Sequence, residues 1–153
     1  MYAGFNGIIY FNSQTFINKR IVQTNLDKTL LGKHVYKGAT IFSIGAHEAA
    51  HLLERALIDL NQTIPDEFFA WQNNSVTKKT VKEAILKAVA TKEGKGMSYN
   101  ELIREIAPEG FLRVGEINAE AIADFYDKRR SVALLSRIIW RLMIRKTNVI
   151  CIY

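Results

Sequence analysis

The chain has 153 residues, of which 48% are hydrophobic and 24% charged. This length and composition exclude intrinsic disorder and fit a single domain, residues 1–153, with a sizeable core. A lone cysteine, Cys151, excludes a disulfide framework and fits a reducing compartment, while a net charge of +6 admits an anionic partner without requiring one.

No stretch reaches the roughly 18 uninterrupted apolar residues of a membrane span. The opening Met1 to Gly7 lacks the basic region and cleavage site of a signal peptide, so a cytoplasmic location is expected. Gly7-Ile-Ile-Tyr-Phe-Asn12 is β-branched and aromatic and predicts a strand. Lys19 to Thr24 suits a second extended piece and Leu26 to Leu31 a short helix or loop, with Gly32 and Gly38 as punctuation.

A helix is predicted from about Ala39 to Leu60, stopped by Asn61 and Pro65. Leu52, Leu53, Ala56 and Leu57 give it an apolar face. It carries His47-Glu48-Ala49-Ala50-His51. Histidines at i and i+4 lie on one helix face about 6 Å apart. Two imidazoles so placed can converge on one ion, and a carboxylate between them in sequence flanks that ion without binding it. Water on such an ion loses its proton near neutral pH, and Glu48 is placed to receive it. Two of the three histidines in the chain fall on this spacing, which disfavours accident. Two solvated or core histidines are the bland alternative.

Beyond a loop containing Phe68, Phe69 and Trp71, a helix is predicted from Lys78 to about Thr91, capped by Ser75 or Thr77, with Val81, Ala84, Ile85, Ala88 and Val89 inward. Lys92 to Gly96 is a turn. Ser98 caps a short helix through Ile106, with Glu101 in the reciprocal capping-box position. Gly115 to Tyr126 forms a further helix with the stripe Ile117, Ala121, Ile122 and Phe125. Ser131 caps the last one, Val132 to about Lys146. The fold class is therefore α+β, mostly α, with a small N-terminal strand region and four to five helices.

A catalytic zinc requires a third protein ligand. His34 lies upstream of the motif. Leu52 to Leu57 lacks the Gly and third His of the longer histidine motif, so a downstream carboxylate remains. Glu116, Glu120 and Asp124 form one acidic row among small and apolar residues, and a solvated acidic face is its bland reading.

His47-Glu-Ala-Ala-His51 followed by Glu116-Ile-Asn-Ala-Glu-Ala-Ile-Ala-Asp-Phe125 resembles the gluzincin class of zincins. It is most similar to the anthrax lethal factor-like metallopeptidase domains of phage minor head and head-morphogenesis proteins. The resemblance covers roughly Gly38 to Tyr126. It implies a minimal zincin-like fold and zinc-dependent peptide hydrolysis. It makes Glu116 the third ligand beside His47 and His51, Glu48 the catalytic base, and Glu120 the support behind the site. Ala119 matches the small residue that follows the ligand by three. A protein or peptide substrate is implied, with phage capsid or portal proteins as partners and a virion-associated location as the alternative to the cytoplasm. A rival register, similar to that of thermolysin, would make Glu120 the ligand with Asp124 behind it.

The chain departs from the family in two places. Ala50 stands where Gly commonly precedes the second His. The run Phe111 to Gly115, shortly before the Glu helix, lacks the Tyr that often stabilises the oxyanion, and Tyr99 and Arg113 are the nearest candidates for that contact. Two other function classes remain open at this point. One is a non-catalytic phage structural domain that keeps the metal site for folding. The other is a nucleic-acid-binding domain using Arg137, Arg141 and Arg145, spaced i, i+4, i+8, near Arg129, Arg130 and Lys146. Nucleic acid is disfavoured, because no set of stacking aromatics interleaves the arginines and a solvated face explains them. Cys151 has no base beside it and receives no role.

Overall fold

The computed structural model describes residues 2–3, 8–10, 18, 20, 24, 40–61, 75–106, 114–127 and 132–147. Among these, two short strands, β1 (Tyr2–Ala3) and β2 (Ile9–Tyr10), pair antiparallel with Tyr2 opposite Tyr10 and Ala3 opposite Ile9. β2 falls within the strand expected over Gly7 to Asn12. Five helices follow: α1 (Ile41–Asn61), α2 (Ser75–Val89), α3 (Tyr99–Ile106), α4 (Val114–Asp127) and α5 (Leu134–Thr147). The described chain is thus mostly helical. None of these helices is long and apolar enough to cross a membrane.

α4 is the central helix. Gly115, Ala119, Ala121 and Ala123 carry almost no side-chain bulk, so neighbouring backbones can approach it closely. Every residue from Ile117 to Asp124 is buried as a result, with α1, α2, α3 and α5 packed around it. Ile117, Leu102, Ile106, Leu135, Ile139 and Met143 are fully buried in one cluster. Each such side chain contributes about 1.5–3 kcal/mol by leaving water.

On α5, Leu134, Leu135, Ile139, Leu142 and Met143 face inward and are buried, and Ile138 is half-buried. α1 differs from its expected apolar face. Ala50 and Leu57 are buried, whereas Ala49 and Ala56 are exposed, so the helix covers one side only.

Helix ends are set by specific polar contacts. Thr40 caps α1, its Oγ1 accepting the Phe42 N–H at 3.2 Å. The same threonine donates its hydroxyl to Asp127 Oδ1 at 2.7 Å and its N–H to Asp127 Oδ2 at 3.0 Å. The start of α1 is thereby tied to the end of α4, and the two helices run antiparallel. The Ser98–Glu101 capping box is formed, with Ser98 N–H on Glu101 Oε2 at 2.7 Å and Glu101 N–H on Ser98 Oγ at 3.3 Å. α5 begins at Leu134, and the preceding Ala133 N–H is accepted by Asp124 Oδ2 from α4 at 3.0 Å. Ser131, the expected cap, lies outside the described residues. In the turn after α2, Gly96 has φ +88°, and Gly94 lies so close to α2 that a Cβ would stand 2.3 Å from the Ala88 carbonyl oxygen.

Candidate metal centre

The antiparallel register of α1 and α4 builds the site. Contacts run from Thr40–Asp127 through His47–Glu120 to His51–Glu116, rising along α1 while falling along α4. Two turns of each helix separate the first pair from the second, and one turn separates the second from the third. The two histidines of α1 face Glu116 and Glu120 in the first half of α4.

His47, His51 and Glu116 converge. Their ligand atoms all lie within 4.8 Å of one another. The two Nε2 atoms are 3.2 Å apart, and Glu116 Oε2 stands 3.3 Å from that of His47 and 3.8 Å from that of His51. Ligand atoms held 2.0–2.1 Å from an ion at tetrahedral angles would be about 3.3–3.4 Å apart. The three observed edges bracket that value, so the donor set fits one small divalent ion with modest adjustment of Glu116. His51 is buried, while His47 and Glu116 are half-buried, which leaves an accessible side. The donor chemistry, two imidazoles and a carboxylate, suits zinc and also other first-row metals.

Glu120 occupies a different place. Its Oε1 lies 3.0 Å from His47 Nδ1, on the side of the ring away from the Nε2 cluster. Burial disfavours the charged form of His47. Hydrogen bonding and charge from Glu116 and Glu120 outweigh it, and the imidazole is pushed up to about 10. Without a metal, the site thus holds a proton where an ion would otherwise compensate the carboxylates. Asp124, the second member of the thermolysin-like register, has its carboxylate on the Ala133 N–H at the start of α5.

Glu48 follows His47 directly and is half-buried. Tyr99, at the first position of α3, is half-exposed and lines an apolar pocket of about 250 Å³ with Val81, Ile85, Leu86 and Val114. Arg113, His34, Phe68, Phe69, Trp71, Arg129, Arg130 and Cys151 lie outside the described residues.

The arginine face of α5 is partly neutralised. Arg137 forms an ion pair with Glu93, and Lys146 lies 3.2 Å from Glu83 Oε2, leaving Arg141 and Arg145 exposed. Both Lys87 and Lys146 beside Glu83 hold its carboxyl below the usual range.

Glu54 and Asn118 carry no recognisable motif, and the sequence does not single them out. Glu54 follows His51 by three residues, is 2% exposed, and brings Oε2 to 3.9 Å from His51 Nδ1. Its other oxygen accepts from Asn118 Nδ2, and Asn118 is itself 1% exposed on α4 between Glu116 and Glu120. Burial pushes the Glu54 carboxyl up, against the pull of His51 and Asn118. The signal available in advance was position alone: residue 54 shares the helix face of residues 47 and 51. No family model, curated protein or solved structure matches this chain.

Proposed function

We propose that the protein is a zinc-dependent metallopeptidase of gluzincin type, which hydrolyses peptide bonds in a protein or peptide substrate. One observation carries this reading: His47 Nε2, His51 Nε2 and Glu116 Oε2 form a triangle with edges of 3.2, 3.3 and 3.8 Å, near the spacing of tetrahedral ligands, and Glu48 follows the first corner in sequence. A phage or mobile-element origin rests on the motif resemblance alone.

In this reading His47, His51 and Glu116 hold the ion. When bound, zinc supplies Lewis acidity that makes water a nucleophile near neutral pH. Glu48 accepts the proton of the attacking water. It delivers that proton to the departing amine nitrogen as the C–N bond breaks and the new C–O bond remains. Glu120 holds the His47 ring from behind, keeping its Nε2 turned toward Glu116. The half-buried setting of Glu48 and Glu116 leaves the reacting side open to a substrate chain.

The test has two stages. Purified protein refolded with zinc is expected to hold about one zinc per chain by elemental analysis. Zinc-loaded protein is then offered a broad peptide library, with Glu48→Gln as the control. Cleavage by the native chain and none by Glu48→Gln at equal zinc content is the expected result. Zinc bound without cleavage of any peptide would favour a non-catalytic domain that retains the metal for folding. No zinc bound at all would remove both readings.

A further inference from the structure

The metal reading explains Glu120 behind His47 but leaves a second buried carboxylate without a task. A carboxylate 2% exposed to solvent is costly to keep in a helix core, since an uncompensated buried charge costs several kcal/mol. A bond from one neutral amide, Asn118 Nδ2, compensates only one of its oxygens. The other oxygen is directed toward His51 Nδ1, at 3.9 Å. That separation exceeds a hydrogen bond. A swing of either side chain by about 1 Å would close it to the 2.7–2.9 Å of a charge-assisted bond.

We propose that Glu54, clasped by Asn118, is the positioning residue for His51: its carboxylate receives the Nδ1–H of that ring and turns Nε2 toward the ion. The proposal rests on the metal-site reading above. It gives the two ligand histidines matching supports from opposite helices. Glu120 of α4 backs His47 of α1, while Glu54 of α1 backs its own helix's His51 and is held in place by Asn118 of α4. A carboxylate behind a metal-ligating imidazole fixes the tautomer and strengthens the ring nitrogen as a donor. Asn118 locks the Glu54 rotamer, so the chain Asn118–Glu54–His51 links the middle of α4 to the ion through side chains alone.

A purely structural role predicts something different. If Glu54 serves only as an interhelical partner for Asn118, glutamine does the same work, because its carbonyl oxygen still accepts from Asn118 Nδ2. The positioning role needs the carboxylate. Glutamine would either present its own N–H₂ to the His51 N–H, donor against donor, or turn that group onto Asn118.

The decisive measurement compares native protein with Glu54→Gln and Asn118→Ala, using zinc titration against a competing chelator, the visible spectrum of the cobalt-substituted site and thermal melting of the metal-free protein. Glu54→Gln is expected to lose about 10–100-fold in zinc affinity and to shift the cobalt bands, with a metal-free melting temperature no lower than native. Asn118→Ala keeps the carboxylate, so it is expected to lose more thermal stability than Glu54→Gln and less zinc affinity. Native zinc affinity and an unchanged cobalt spectrum in Glu54→Gln would overturn the proposal. Affinity lost only in step with melting temperature across both variants would also overturn it, in favour of a structural role. A native protein that binds neither zinc nor cobalt would instead overturn the metal site on which the proposal depends.

Discussion

Glu116 and Glu120 sit one helical turn apart and both touch His47, at opposite nitrogens of its ring, which on the metal reading gives them unequal tasks. Glu116 Oε2 is 3.3 Å and 3.8 Å from the two Nε2 atoms, whereas Glu120 Oε1 is 3.0 Å from His47 Nδ1. Replacing each by glutamine separates these tasks with little change of shape. Glu116→Gln removes the only anionic corner of the triangle and should weaken zinc binding by more than 100-fold, that is by more than about 2.7 kcal/mol. Glu120→Gln leaves all three corners and removes the charge behind one ring, for an expected loss of about 10–100-fold or ~1.4–2.7 kcal/mol. Glu120 is 4% exposed and pairs with the His47 ring in the metal-free protein, so Glu120→Gln also breaks a buried pair and should lower metal-free stability by a few kcal/mol. The assay is zinc titration against a chromophoric chelator at fixed pH, with circular dichroism to show that both variants are folded. The reasoning fails if Glu120→Gln abolishes binding while Glu116→Gln weakens it only slightly. Glu120 would then be the ligand, as in the thermolysin-like register.

Two further outcomes follow from the geometry. In the metal-free protein, Glu116 and Glu120 push His47 from its ordinary 6.5 up to about 10 against the cost of burial, so its contribution to stability should be complete below about pH 6.5 and be lost as pH rises through 10. The stability difference between metal-free native protein and His47→Gln, measured by urea unfolding, should therefore shrink by a few kcal/mol at most between pH 7 and about 10; a difference that stays flat or grows would contradict it. Gly94→Ala would place a Cβ 2.3 Å from the Ala88 carbonyl oxygen and 2.9 Å from Leu134 Cδ2. Because the first of these is backbone, the change should destabilise by about 1–3 kcal/mol and lower the melting temperature by several degrees, and an unchanged melting temperature would show that the turn relaxes freely.

The features legible in the sequence are local ones. A helix carrying His47 and His51 on one face follows from their spacing, because i and i+4 are neighbours whatever surrounds the helix. The Ser98–Glu101 cap is equally local, since both partners lie within one turn. The mostly helical class follows from apolar periodicity such as Val81, Ala84 and Ala88, all buried.

What depends on the register between helices could not be read in this way. Glu116 and Glu120 share a face, so helical periodicity treats them alike. The antiparallel alignment of α1 on α4, fastened by Thr40 and Asp127, puts one at the Nε2 atoms and the other behind a ring. Asp124 belongs to the same acidic row, but the approach of α5 ties it to Ala133. The arginines of α5 form a regular stripe in sequence, and only the placement of Glu93 on a different segment neutralises Arg137. Glu54 and Asn118 are 64 positions apart and meet only because α1 and α4 pack through small residues such as Ala119. Sequence alone determined which side chains a single helix presents together. The tertiary structure decided which atoms of different helices meet, because a pairing between helices depends on their relative shift and rotation, and no local interaction sets either.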